Sequence, residues 1–273
     1  MAQKIAHGVH SMDDGSIITF PYDDAFDWSR RGFIPPNIAI HQVDIAAVQQ
    51  FPIGTKLVRD DATYRYVEFQ EATVAGDLLE RGAIDAAHDV MDFGVAAAGT
   101  TTLECDDSKT FVLNEYAGGR LTVADDTGQG YDYRILSNTA VAGATGAQFV
   151  IQAPGLAVAI DATSDIVVTL SRWKEVLKGN TTIAGSFVGV SKGVGADGSF
   201  GWAGTAGIHA VLTDNTSPVL GQGVTASAAT SGAVAKALLT EATPNTFIGP
   251  LLGYVVDVGA SAGYSLVDFI GPG

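Results

Sequence analysis

The run Tyr64-Arg65-Tyr66-Val67-Glu68-Phe69 decides the fold. Aromatic and β-branched residues alternate in it with polar ones, the pattern of a strand with one face buried. Just upstream, Lys56-Leu57-Val58-Arg59 is of the same kind, and so are Val74 to Leu79, Tyr131 to Leu136, Gln148 to Gln152 and Ile166 to Leu170 downstream. Thr110 to Leu113 and Arg120 to Val123 flank Gly118-Gly119 and read as a hairpin. Phe187 to Val190, Phe200 to Ala203, Ile208 to Leu212, Val219 to Val224, Tyr254 to Val258 and Tyr264 to Ile270 continue the series. Short strands separated by Gly, Asn and Asp turns predict sandwiches or barrels rather than alternating β-α units. Residues 82–90 suit one or two helical turns, Arg172 to Lys178 a short helix or irregular segment, and 230–242 suits strand or helix equally. The expected fold is all-β: two barrel- or sandwich-like domains, over 51–178 and 179–273, with a few short helices and an extended N-terminal arm over 1–50.

The arm is set apart by its residues. Phe20, Tyr22, Phe26, Trp28 and Phe33 lie along a Pro-rich stretch with Arg30-Arg31 among them, and no helical or strand period organises them. Proline holds such a segment extended. Aromatics spread along an extended arm form no core of their own, so they pack on the chain's own body or on another subunit. Aromatic and Arg side chains dominate interface energetics. These seven residues are therefore the candidate contacts to a neighbouring protein.

Composition narrows the function. The 273 residues carry 15 Lys+Arg against 30 Asp+Glu, a formal charge of -15, so the field has the wrong sign for binding nucleic acid. Charged residues are only 16% while hydrophobic ones are 47%, which suits a protein that hides surface against neighbours. No apolar run reaches the roughly 18 residues of a membrane span, and Met1 to His10 lacks the apolar core of a secretory signal. The lone Cys105 precedes Asp106-Asp107, carboxylates that disfavour its thiolate.

Pattern matches to catalytic motifs fail on their context. Gly193-Val194-Gly195-Ala196-Asp197-Gly198 spells a dinucleotide fingerprint, but Ser199-Phe200-Gly201-Trp202 continues as a strand where phosphate binding needs a helix. Ser191 and Ser261 sit in nucleophile-elbow spellings, but no histidine follows Ser261 and only His209, in a strand-like run, follows Ser191. His7 and His10 lack a third metal ligand, and His41, His88 and His209 stand apart. The doublets Asp13-Asp14, Asp23-Asp24, Asp60-Asp61, Asp106-Asp107 and Asp125-Asp126 suit turns, where Asp bonds its own backbone, better than convergent calcium ligands. Catalytic, cofactor-binding and metal-ligating residues are expected to be absent.

Phe111 to Asn138, with Gly118-Gly119-Arg120-Leu121-Thr122-Val123, Thr127-Gly128-Gln129-Gly130 and Tyr133-Arg134-Ile135, resembles the head decoration, or capsid cement, proteins of tailed bacteriophages. Gly201-Trp202-Ala203, Val211-Leu212-Thr213-Asp214, Thr230-Ser231-Gly232-Ala233-Val234 and Ile248-Gly249 continue the likeness, and Gly54 to Gly76 fits the family's opening. The resemblance covers roughly residues 51–273. It implies a structural virion protein without enzyme activity, made in the bacterial cytoplasm and bound to the outer surface of the major capsid protein shell. It also implies a homotrimer at three-fold and local three-fold positions. The alternative is a receptor- or glycan-binding β module of a tail fibre or adhesin, with Trp173 and Trp202 as groove aromatics.

Overall fold

The computed structural model describes residues 8–12, 14–21, 38, 40, 47–82, 90–181, 185–214, 218–237, 250–259 and 263–271. In chain order the strands begin with β1 (Gly8–Ser11), β2 (Ile17–Phe20), β3 (Lys56–Arg59), β4 (Ala62–Glu68) and β5 (Leu78–Arg81). Next come β6 (Met91–Asp92), β7 (Thr102–Cys105), β8 (Lys109–Phe111), β9 (Arg120–Val123), β10 (Asp132–Asn138), β11 (Val141–Ala144), β12 (Ala147–Ile151) and β13 (Asp165–Thr169). The series ends with β14 (Val176–Lys178), β15 (Phe187–Ser191), β16 (Phe200–Leu212), β17 (Gly223–Ala226), β18 (Val234–Lys236), β19 (Gly253–Asp257) and β20 (Tyr264–Phe269). The fold is all-β, and no helix occurs among the described residues. Arg172 to Glu175 turn, and β14 follows directly, so this stretch is irregular and then extended. Of the helical turns expected over 82–90, residues 83–89 lie outside the described residues.

The chain forms two compact units; one break, at 172/173, falls close to the expected boundary near 178, but the described residues of 8–21 and 38–82 join the C-terminal part rather than 90–172. Described residues 90–172 make one unit; those of 8–21, 38–82 and 173–271 make the other. The reason is pairing at long range. β15 lies antiparallel to β5, with Phe187 opposite Glu80, and β16 lies antiparallel to β4, with Trp202 opposite Tyr66. A cut at 178 would split these ladders. Residues 8–11 and 17–20 of the expected arm form a hairpin of β1 and β2, and β2 pairs with β3 in the same sheet, while 22–37 lie outside the described residues.

In the 90–172 unit six strands run in the order β6-β13-β9-β10-β12-β7. An antiparallel bridge between Phe93 and Cys105, with the Asp106 N–H donating to the Asp92 carbonyl at 2.8 Å, joins the two ends into a ring. Phe149 is fully buried inside it, with Phe93, Phe111 and Tyr116 around its ring at centroid distances of 5.3, 5.2 and 6.0 Å. Closing the ring removes the sheet edges that would otherwise invite aggregation. The hairpin expected across Gly118-Gly119 does not form: β8 pairs with β11, while β9 lies between β10 and β13. Gly119 is instead a close-approach residue, since a Cβ there would sit 2.0 Å from the Thr169 carbonyl oxygen.

The other unit holds a 12-stranded sheet that wraps two cores. β4, β16, β15, β5 and β14 surround the first, and a parallel bridge from Phe69 to Val176 brings β14 back to β4. Val67, Phe69, Leu79, Val176, Val188 and Ala203 fill it. β5, β15, β16, β20, β19, β17 and β18 surround the second, filled by Leu78, Val190, Val211, Val224, Val234, Val255, Val267 and Phe269. Here the Leu78 N–H donates to the Gly232 carbonyl at 2.7 Å and returns the β18 end to β5. Strands shared by both rings must face two interiors. Register shifts between Phe187 and Gly189 and between Gly204 and Ala206 do this, because an extra residue reverses the alternation.

Asp77 sits beside that closing contact, its side chain buried, accepting the Val74 N–H at 2.8 Å and facing the Lys178 ammonium at 3.4 Å. Burial raises the Asp77 carboxyl above its ordinary value despite these contacts, and it does the same to Glu80 and Glu68. A raised folded-state value means that the fold binds protons more readily than the unfolded chain. Stability from these groups is thus complete below the ordinary carboxyl range and is lost as pH rises through the raised values. We expect the urea midpoint of this unit, read by tryptophan fluorescence, to be higher at pH 5 than at pH 7.5. Asp77→Asn should flatten that slope.

Candidate functional site

The described residues singled out for chemistry have structural employment, while His7, His41, His88, Asp13, Asp23, Asp24 and Ser261 lie outside the described residues. Ser191 is buried and its hydroxyl donates to the Gly193 carbonyl at 2.9 Å. Gly198 lies in a turn at φ +70° and donates its N–H to the Phe69 carbonyl, and the chain then enters β16, as its sequence implies. His209 is buried between Tyr64 and Phe269, with Nε2 3.1 Å from the Ala206 carbonyl oxygen. Asp14 pairs with Arg59 at 2.9 Å, Asp107 accepts the Asp92 N–H, Asp125 accepts the Asp126 N–H, and Asp60 turns at φ +53°. Among the described residues no group of three His, Cys, Asp or Glu side chains converges. Cys105 is buried, which pushes its thiol up.

Of the expected contact residues, Phe20 is described and is 4% exposed. Its ring stacks on Phe51 at 6.3 Å and lies 5.7 Å from His10, so it belongs to the chain's own core and offers nothing to a neighbour. Tyr22, Phe26, Trp28, Arg30, Arg31 and Phe33 lie outside the described residues. The groove aromatics are also absorbed. Trp202 is 2% exposed among Phe51 and Tyr66, and Trp173 is capped by the Arg65 guanidinium 5.1 Å from its ring.

The surface that stands out is one that sequence reasoning passed over. It is the outer face of β16, β20 and β19. In antiparallel ladders directly opposed residues share a face. Ile208, Asp268 and Tyr254 form one outer row, Ala210, Leu266 and Asp257 the next, and Leu212 and Tyr264 the third. Val267, Val255 and Val211 point the other way, into the core. The outward faces of such sheets are ordinarily polar. Here Tyr254 and Tyr264 are each 48% exposed, Ile208 40% and Leu266 39%. Leu251 adds to this face by lying over Gly223, where a Cβ would meet its side chain at 2.6 Å. Likewise the Tyr264 ring occupies the space a Cβ on Gly76 would need. The sequence held a signal: in Tyr264 to Ile270 apolar residues occupy both parities, where a half-buried strand shows only one.

No family model, curated protein or solved structure matches this chain.

Proposed function

We propose that this chain is a structural docking protein of a tailed-phage virion, bound to the outer surface of the major capsid protein shell and stabilising the DNA-filled head. The observation that carries the reading is the apolar outer face of β16, β20 and β19 on a scaffold of closed rings. Exposed apolar patches on a protein surface often mark interaction sites. A charged fraction of only 16% fits a protein that spends its working life against other protein, and a net charge of -15 fits one that stays off DNA. The resemblance of residues 111–138 to capsid cement proteins names the class of partner. The work is mechanical. A molecule that contacts neighbouring capsomers raises the free energy of pulling them apart, and a homotrimer at three-fold positions multiplies the effect through effective concentration.

The test is stoichiometry. In DNA-filled heads purified from the phage that encodes this chain, quantitative mass spectrometry should find it in a fixed ratio to the major capsid protein. Absence from the heads would overturn the proposal. Presence in only a few copies per particle would favour the tail-fibre alternative.

A further inference from the structure

Within that reading, on which this step rests, we infer that the β16-β20-β19 face is the docking surface and that its partner brings an arginine or lysine to Asp268. Asp268 lies on the central strand of the three, in the row between Ile208 and Tyr254. Its side chain is exposed and makes no hydrogen bond or ion pair with another described residue. Covering a carboxylate with apolar surface costs the hydration it loses and returns nothing. A guanidinium or ammonium returns a charge-assisted hydrogen bond in its place. An apolar face with an exposed, unpaired carboxylate on its central strand is therefore complementary to an apolar patch that carries a cation.

A second copy presenting this same face does not meet that requirement. Residues 207–212, β19 and β20 contain no Lys or Arg, while Asp257 and Asp268 are both exposed. Two such faces set against each other would bring carboxylates together without a cation, in molecules that each carry a net charge of -15. Pairing of this face with itself across a two-fold axis is therefore disfavoured.

The probe is a DNA-filled head from a phage lacking the gene for this chain, with bound protein measured by co-sedimentation across a salt series. Wild type should bind. Asp268→Arg should bind at least about 30-fold more weakly, and Leu266→Ser about tenfold more weakly. Asp268→Asn keeps the side-chain shape and should lose affinity while flattening the salt dependence, so a folding defect in the Arg variant leaves the question decidable. Val112→Ser, on an exposed apolar residue of the 90–172 unit, should bind as wild type does. If wild type binds heads and both Asp268 variants bind equally well, this inference fails while the proposed function stands. If wild type does not bind heads, the proposed function fails. An oligomer of the purified chain that Leu266→Ser dissolves would make a second copy the occupant and overturn the cationic partner.

Discussion

Lys192→Met is expected to stabilise the protein by about 3 kcal/mol at pH 7, and to stop doing so near pH 10.5. Lys192 follows β15 and is 5% exposed, its backbone N–H donating to the Trp202 carbonyl at 3.0 Å. Its side chain makes no hydrogen bond or ion pair with another described residue. Burial alone lowers its ammonium from 10.5 to about 8. That displacement, converted at about 1.4 kcal/mol for each pH unit, sets the magnitude. The sign follows from proton binding. Between pH 8 and 10.5 the unfolded chain holds the proton more tightly than the fold does, so stability rises with pH across that window. Below pH 8 the full cost of a buried charge is present. Methionine fills the same unbranched space without the charge. Urea unfolding read from Trp173 and Trp202 fluorescence should give the variant a higher midpoint at pH 7 and a nearly equal one at pH 10.5. A variant no more stable than wild type at pH 7 would show that Lys192 has found a counter-charge.

Phe149→Ala is expected to cost about 3–5 kcal/mol. Phe149 lies on β12 at the centre of the ring in the 90–172 unit, with no exposed surface, and three aromatic rings surround it. Truncation forfeits the transfer energy of the ring and the edge-to-face contacts with Phe93 and Phe111. A sheet closed by the Phe93–Cys105 bridge has little freedom to collapse into the space left behind. Amide exchange at β9 and β12 should accelerate by two to three orders of magnitude, in keeping with that loss. Phe149→Leu, which keeps most of the apolar volume, should recover over half of it. Unchanged exchange in the Ala variant would mean that the ring is not the cooperative core described above.

Much of the strand inventory was legible in the sequence, because it depends on local alternation. Tyr64 to Phe69 is a strand as read, though with more burial than one packed face requires: Tyr66 packs among Phe51 and Trp202 while Val67 enters the core shared with Leu79. What local patterns do not carry is pairing between distant segments. Nothing in Phe187-Val188-Gly189-Val190 announces a partner at Leu78 to Glu80, so the chain divides where its ladders require. Phe20 misled for a related reason. Seen beside Pro21 it looked like part of an extended arm, but Ile17 to Phe20 is a strand with neighbours on both sides. The apolar outer face of β16, β20 and β19 escaped notice because an apolar residue in a strand is taken as core by default. Leu266 and Val267 look alike in sequence, and only the register shows that one faces solvent.

The central claim is that the outer face of β16, β20 and β19 meets the shell. An electron cryomicroscopy reconstruction of DNA-filled heads carrying this chain tests it most directly. The expected result places Leu266, Tyr254 and Asp268 against the major capsid protein, with a basic side chain at the Asp268 carboxylate. A map in which this face looks out to solvent, while the chain is held to the shell by other surfaces, would contradict the claim.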